Sequence, residues 1–248
     1  MKRMIEVCCG SYADCIAAWN GGAKRVELNS ALSVGGLTPT LATLQRVKQD
    51  TDLKVICMSR PRAAGFCYDT DDVETMLWDA KLMLENGADG IAFGFLNRDR
   101  TVCKEATEKM VELVHSYGKE AVFHRAFDML NDPFVGCETL IALGVDRILT
   151  SGQQAKAMDG MRLIKTLQEN YGTQIQILPG SGMNAANAKE MMDTTGVYQV
   201  HSSCKNYATD NTTSSSSVTF AYLSDPHTND YDVVDEELVR KLVEVVEE

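Results

Sequence analysis

The chain is expected to fold as a (β/α)8 barrel, eight parallel strands closed on themselves with a helix after each. Three observations predict it. Short apolar runs recur eight times, at 5–9, 25–28, 55–58, 90–95, 121–127, 147–150, 175–178 and 197–201. Seven longer segments with helical spacing separate them, and an eighth closes the chain. Four helix-to-strand turns share one spelling, beginning Gly22-Ala23, Gly87-Ala88, Gly144-Val145 and Gly196-Val197. Apolar strands alternating with amphipathic segments mean βα units and a parallel sheet. An open doubly wound sheet uses the same units, but the Gly-x-Gly-x-x-Gly loop is missing after the first strand. A length of 248 residues suits one barrel, so 1–248 is expected to be a single domain.

The helices have local causes. Thr38-Pro39 and Asp132-Pro133 each pair an N-cap residue with proline at the first helical position. Asp69, Asp71 and Asp72 put acid at the start of the third helix, where the helix dipole favours it. Helices are expected to stop at Gly21-Gly22, Gly87, Gly118, Gly144, Gly172 and Gly196 with left-handed caps. One segment breaks the rhythm. Residues 203–234 include a run of four serines and read as a long, mobile loop after the eighth strand. A barrel would place that loop over its active face, as a lid or as a plain insertion.

Composition narrows the function. A net charge of −11 and an isoelectric point near 4.9 argue against nucleic acid and against an anionic membrane surface as partner. A small anionic ligand needs only local positive charge and stays open. No apolar run follows Lys2-Arg3 as a secretory leader requires, and none is long enough to span a membrane. A cytoplasmic location is expected. Eight cysteines without a Cys-x-x-Cys pair read as reduced, mostly buried thiols.

Barrel chemistry sits at the C-terminal strand ends. The fifth strand runs into His124, Arg125 and Asp128. Three ionisable groups at one strand end mean either a site or a buried ion-pair network. His124 is the candidate general acid or base, and Asp128, Glu27 and Glu6 are the carboxylates expected to orient it or share its proton. Arg60 and Arg62, two apart around Pro61, together with Arg125 are candidate anion holders. Ser151-Gly152, Gly180-Ser181-Gly182 and Ser202-Ser203 follow strands six to eight, where barrels often bind phosphate on backbone N–H groups. His124 and His201 with carboxylates lack any recognised spacing for a divalent metal, and no serine sits in a nucleophile elbow.

Several of these motifs together resemble the CutC family, known as the copper homeostasis protein family. They are Glu6-Val7-Cys8-Cys9, Arg25-Val26-Glu27-Leu28, Gly35-Gly36-Leu37-Thr38-Pro39, Arg60-Pro61-Arg62, His124-Arg125-Ala126-Phe127-Asp128, Leu149-Thr150-Ser151-Gly152 and His201-Ser202-Ser203. The resemblance implies one (β/α)8 barrel, a cytosolic homodimer and a role in copper binding or trafficking. The chain departs from the family at Asn29, where relatives often carry cysteine, and at Ala63-Ala64-Gly65.

Two functions follow. In the first the protein binds Cu(I), which prefers thiolate and thioether donors. Cys8 and Cys9 point to opposite sides of a strand, so a site would join Cys8 to Cys57 or Cys67 across strands. In the second the barrel acts as an enzyme or sensor for a small phosphorylated or carboxylate metabolite.

Overall fold

The computed structural model describes residues 2–247. Eight strands carry the barrel: β1 (Met4–Cys9), β2 (Arg25–Leu28), β3 (Lys54–Met58), β4 (Gly90–Phe93), β5 (Glu120–Phe123), β6 (Arg147–Thr150), β7 (Gln176–Pro179) and β8 (Gln199–Ser202). The intervening helices are α1 (Tyr12–Asn20), α2 (Leu41–Asp50), α3 (Thr70–Glu85), α4 (Lys104–Ser116), α5 (Pro133–Ala142), α6 (Met161–Tyr171) and α7 (Ala188–Thr195). The hairpin β9 (Lys205–Thr209) and β10 (Asp230–Val234) then leads into α8 (Glu236–Glu247).

The strands pair in parallel in the order β7-β6-β5-β4-β3-β2-β1-β8. Between β7 and β8 side chains bridge the seam. Gln199 Nε2 donates to Gln176 Oε1 at 3.2 Å, and Ser202 Oγ donates to the Met183 carbonyl at 2.7 Å. The result is the nearly closed (β/α)8 barrel that the eightfold rhythm predicts.

Parallel strands are covered on both faces, which is why their runs are continuously apolar. The main core lies between sheet and helices, with Val7, Leu28, Cys57 and Phe93 facing outward into it. Inside the barrel the apolar layer is small: Ile56, Met58, Ala92 and Val122. Below that layer, at the N-terminal strand ends, the barrel is filled by charge. Glu6 forms an ion pair with Arg25 Nε at 2.5 Å and lies 3.7 Å from Arg147. Arg147 also binds Glu120 at 2.7 Å and Gln176 at 3.1 Å, and Arg25 donates to Gln199 at 2.7 Å. Buried ions are costly unless paired, and here each guanidinium faces a carboxylate.

Caps explain most boundaries. Asp132 accepts from the N–H groups of Phe134 and Val135, as predicted, and Asp69 accepts from that of Asp72. The start of α2 differs from the prediction. Its N-cap is Thr40 rather than Thr38, because Thr38 is engaged with Arg60. The Thr38 hydroxyl accepts the Arg60 N–H at 3.0 Å and the Thr38 N–H donates to the Arg60 carbonyl. Gly196 closes α7 in the left-handed region at φ 79°. Gly172 does not; its φ is −60°, and what it supplies is clearance, since a Cβ there would meet Gln168 Nε2 at 2.1 Å.

Two expected elements change. Strand five ends at Phe123 instead of running to 127. His124 turns the chain into a short 3-10 helix (Arg125–Met129) by accepting the Ala126 N–H on its Nδ1 at 3.1 Å. Within 203–234, the ends are the paired strands β9 and β10, antiparallel from Lys205–Val234 to Thr209–Asp230. Val234 is tied down by the Asp14 carboxylate, which accepts its N–H at 2.9 Å. No helix of the described residues is long and apolar enough to cross a membrane.

Candidate metal and ligand site

A cavity of about 320 Å³ opens at the C-terminal end of the barrel. Its floor is set by strand register. Cys8 of β1 stands beside Glu27 of β2, and one step lower Glu6 stands beside His201 of β8. Alternation along β1 then turns Glu6 and Cys8 inward, and Val7 and Cys9 outward. The hairpin supplies a wall through Lys205, Asp232, Val233 and Val234.

Cys8, Glu27 and His201 form one cluster, with a donor atom of each within 4.8 Å of the others. Cys8 Sγ lies 3.9 Å from Glu27 Oε2. Asn29 Nδ2 donates to Glu27 Oε2 at 3.0 Å and approaches Cys8 Sγ at 3.6 Å, holding both in place. Beneath them, His201 Nδ1 bonds Glu6 Oε1 at 2.9 Å. Glu6 therefore fixes the ring and leaves Nε2 as the nitrogen open to a ligand. A carboxylate behind an imidazole in this manner is the usual support of a metal-binding histidine.

The electrostatics are mutual. Burial would raise Glu6, but the Arg25 charge and the His201 hydrogen bond outweigh it and hold the carboxyl well below the usual range. Burial would lower His201, yet its bonds to Cys8 and Glu6 and the Glu27 charge carry it well above a normal imidazole. Burial pushes the Cys8 thiol up, and it pushes the Glu27 carboxyl up as well.

His124 and Arg60 also line the cavity. His124 is 3% exposed, and its pKa falls to about 3 through burial and the nearby Arg60 charge. Arg60 donates to the carbonyls of Val34, Gly36 and Ala64 at 3.1, 2.8 and 2.7 Å, which ties the loops after β2 and β3 together. Phe66 lies between them. Its ring is 4.9 Å from that of His124, and the Arg60 guanidinium sits 5.2 Å over it.

The other residues expected to act here are placed differently. Glu6 lies under the cavity in the ion network. Asp128 is taken up by the loop after β6: its oxygens accept from Thr150 Oγ1, from the Ser151 N–H and hydroxyl, from the Gln153 N–H, and from Arg125 Nε. The same bonds consume the donors of Ser151, while the Gly152 N–H goes to Thr150 Oγ1. The first of the three predicted anion loops therefore offers none of these groups to a ligand. Gly180 donates to the Thr150 carbonyl, and Ser202 to Met183. Ser181, Gly182 and Ser203 do line the cavity, as does Arg125. Arg62 does not join Arg60. The strand has ended, and Arg62 turns outward to Asp72 at 2.8 Å and to the Cys67 carbonyl at 2.9 Å.

The expected thiol pairings are not formed either. Cys57 points into the helix layer, where burial and the nearby Cys15 push its thiol up strongly. Cys67 is exposed in the loop after β3. The second donor near Cys8 is His201 instead. The signal was barrel closure itself, because β8 returns beside β1 and sets residue 201 level with residue 6.

Comparison with known proteins agrees with this architecture. Residues 3–206 match the sequence model of the CutC family. A CutC family protein of Treponema denticola is 46% identical over 202 residues, covering 81% of each chain. The human copper homeostasis protein cutC homolog is 39% identical over 202 residues, covering 82% of this chain and 73% of its own. The solved structure of CutC from Streptococcus agalactiae superposes with a TM-score of 0.76 at 29% identity, covering 81% of this chain and 98% of that one. With the family model matching residues 3–206 and a relative 46% identical over 81% of each chain, the chain belongs to the CutC family.

Proposed function

We propose that this protein serves copper homeostasis by binding one Cu(I) ion as cargo at the barrel mouth, through Cys8 Sγ and His201 Nε2, each releasing its proton to water as the ion binds, with Glu27 beside them. The observation that carries the reading is the convergence of these three donors on one cavity. A soft thiolate and a borderline imidazole form a donor pair that suits Cu(I) better than hard cations, which prefer oxygen. Glu6 holds the imidazole from behind, so the ring is oriented before the ion arrives. Asn29 keeps the thiol and the Glu27 carboxyl in contact. One thiol per site fits a protein that takes up an ion and releases it again. All eight cysteines are free, which suits the reducing cytoplasm.

Anaerobic Cu(I) titration against a chromophoric chelator tests this. The wild type is expected to withdraw one equivalent. Cys8→Ser should weaken the competition at least about 100-fold, or roughly 2.7 kcal/mol. Cys57→Ser, a change outside the barrel, should leave it unaltered. A Cys8→Ser variant that competes as well as the wild type would place the ion elsewhere.

A further inference from the structure

The lining of the cavity includes two buried groups without partners of the right kind. Arg60 is 5% exposed and forms no ion pair among the described residues. Its three hydrogen bonds go to neutral carbonyls, and its Nε has no partner. Of the other side-chain cations on the cavity, Arg125 and Lys205 are each matched by an aspartate, Asp128 at 2.8 Å and Asp232 at 3.2 Å, and His201 is matched by Glu6 at 2.9 Å. Arg60 alone brings an uncompensated charge.

His124 is the second group. Its Nδ1 accepts the Ala126 N–H at 3.1 Å, so the proton of the neutral ring resides on Nε2. That N–H is buried with no acceptor. Burying a donor unmet costs about 1–3 kcal/mol, and a lone buried charge costs more. Phe66 packs against both side chains and keeps them on one wall. Beside them the cavity is apolar, with Met58 and Leu149.

We propose that this wall is a subsite for the carboxylate or phosphate group of a small organic molecule, one oxygen accepting from His124 Nε2 and the anionic charge resting against Arg60. The body of the molecule lies on Phe66, Met58 and Leu149. Size limits it, because about 320 Å³ is at the low end for a metabolite pocket. The subsite does not depend on copper. It shares one cavity with the Cys8 cluster but uses different side chains, so a bound anion would not replace the donors of the ion.

The test uses metal-free full-length protein with inorganic phosphate and sodium acetate as probes, against sodium chloride at equal ionic strength. Ligand that binds only the folded state raises Tm by mass action, here by an expected ~2–4 °C at saturation. Phosphate alone responding marks a phosphorylated metabolite, and acetate alone a carboxylate. Arg60→Ala should abolish the rise and Arg62→Ala, outside the cavity, should keep it. If Arg60→Ala fails to fold, the imidazole N–H correlation of His124 in the wild type decides, since its Nε2 proton must shift on titration. An unmoved Nε2 proton with no rise in Tm for either anion overturns the proposal, and so does an equal loss of response in Arg62→Ala.

Discussion

Glu6→Gln is expected to destabilise the fold by roughly 3–5 kcal/mol, because it strips a buried charge pair of one partner. Arg25 and Arg147 are 3% and 1% exposed, and Glu6 is the carboxylate between them. Arg147 keeps Glu120, but Arg25 has only the neutral Gln199 and the Met4 sulfur left. Glutamine retains the shape and can still accept from His201, so the loss reports charge rather than packing. Urea unfolding measures it as a lower midpoint with an unchanged slope. Replacing Glu6 and Arg25 together by methionine should recover much of the loss, because an apolar pair needs no counterion. A single Glu6→Gln cost below about 1 kcal/mol would show that water reaches this layer and that the network is not sealed.

The second large effect is acid sensitivity from His124. Its folded pKa lies near 3, against an ordinary value of 6.5, through burial and then Arg60. Above pH 6.5 the ring is neutral in both states and adds no slope. Below it the unfolded chain takes up a proton that the native protein refuses, so stability falls with pH until about 3. At about 1.4 kcal/mol per unit, the loss between pH 7 and pH 4 is roughly 3 kcal/mol. His124→Asn keeps an acceptor for the Ala126 N–H and cannot titrate. The difference between wild type and variant, measured by urea unfolding, should therefore grow steadily toward the wild type's disadvantage as pH drops from 6.5 to 4. A difference independent of pH would contradict a neutral, buried ring.

Much of the barrel can be read from the chain because its causes are local. Apolar runs, acid-capped helix starts and glycine stops each act within a few residues, and eight repeats of them leave few topologies. Strand-end residues were equally legible: Cys8, Glu27, Arg60, His124 and His201 all border the cavity. What the sequence does not reveal is partnership. His124 looks like the end of a strand, yet its own ring nitrogen breaks the strand. Asp128 resembles a catalytic acid, but backbone groups more than twenty residues away saturate it. Arg60 and Arg62 share a spacing that would place them on one face only if the strand continued, and it stops at Met58. Cys57 fails by parity, since Ile56 and Met58 occupy the inward positions on β3. The pairing of Cys8 with His201 needs the closed barrel, a contact between the first and last strands.

The closed barrel also frames the central claim, that a single thiol and a single imidazole hold the ion. X-ray absorption at the copper edge, on protein loaded with one equivalent of Cu(I) under anaerobic conditions, tests it most directly. The predicted shell contains one sulfur and one imidazole nitrogen, with the sulfur absent in Cys8→Ser and the imidazole absent in His201→Ala. A shell of two or more sulfurs, or one unchanged by Cys8→Ser, would contradict the account.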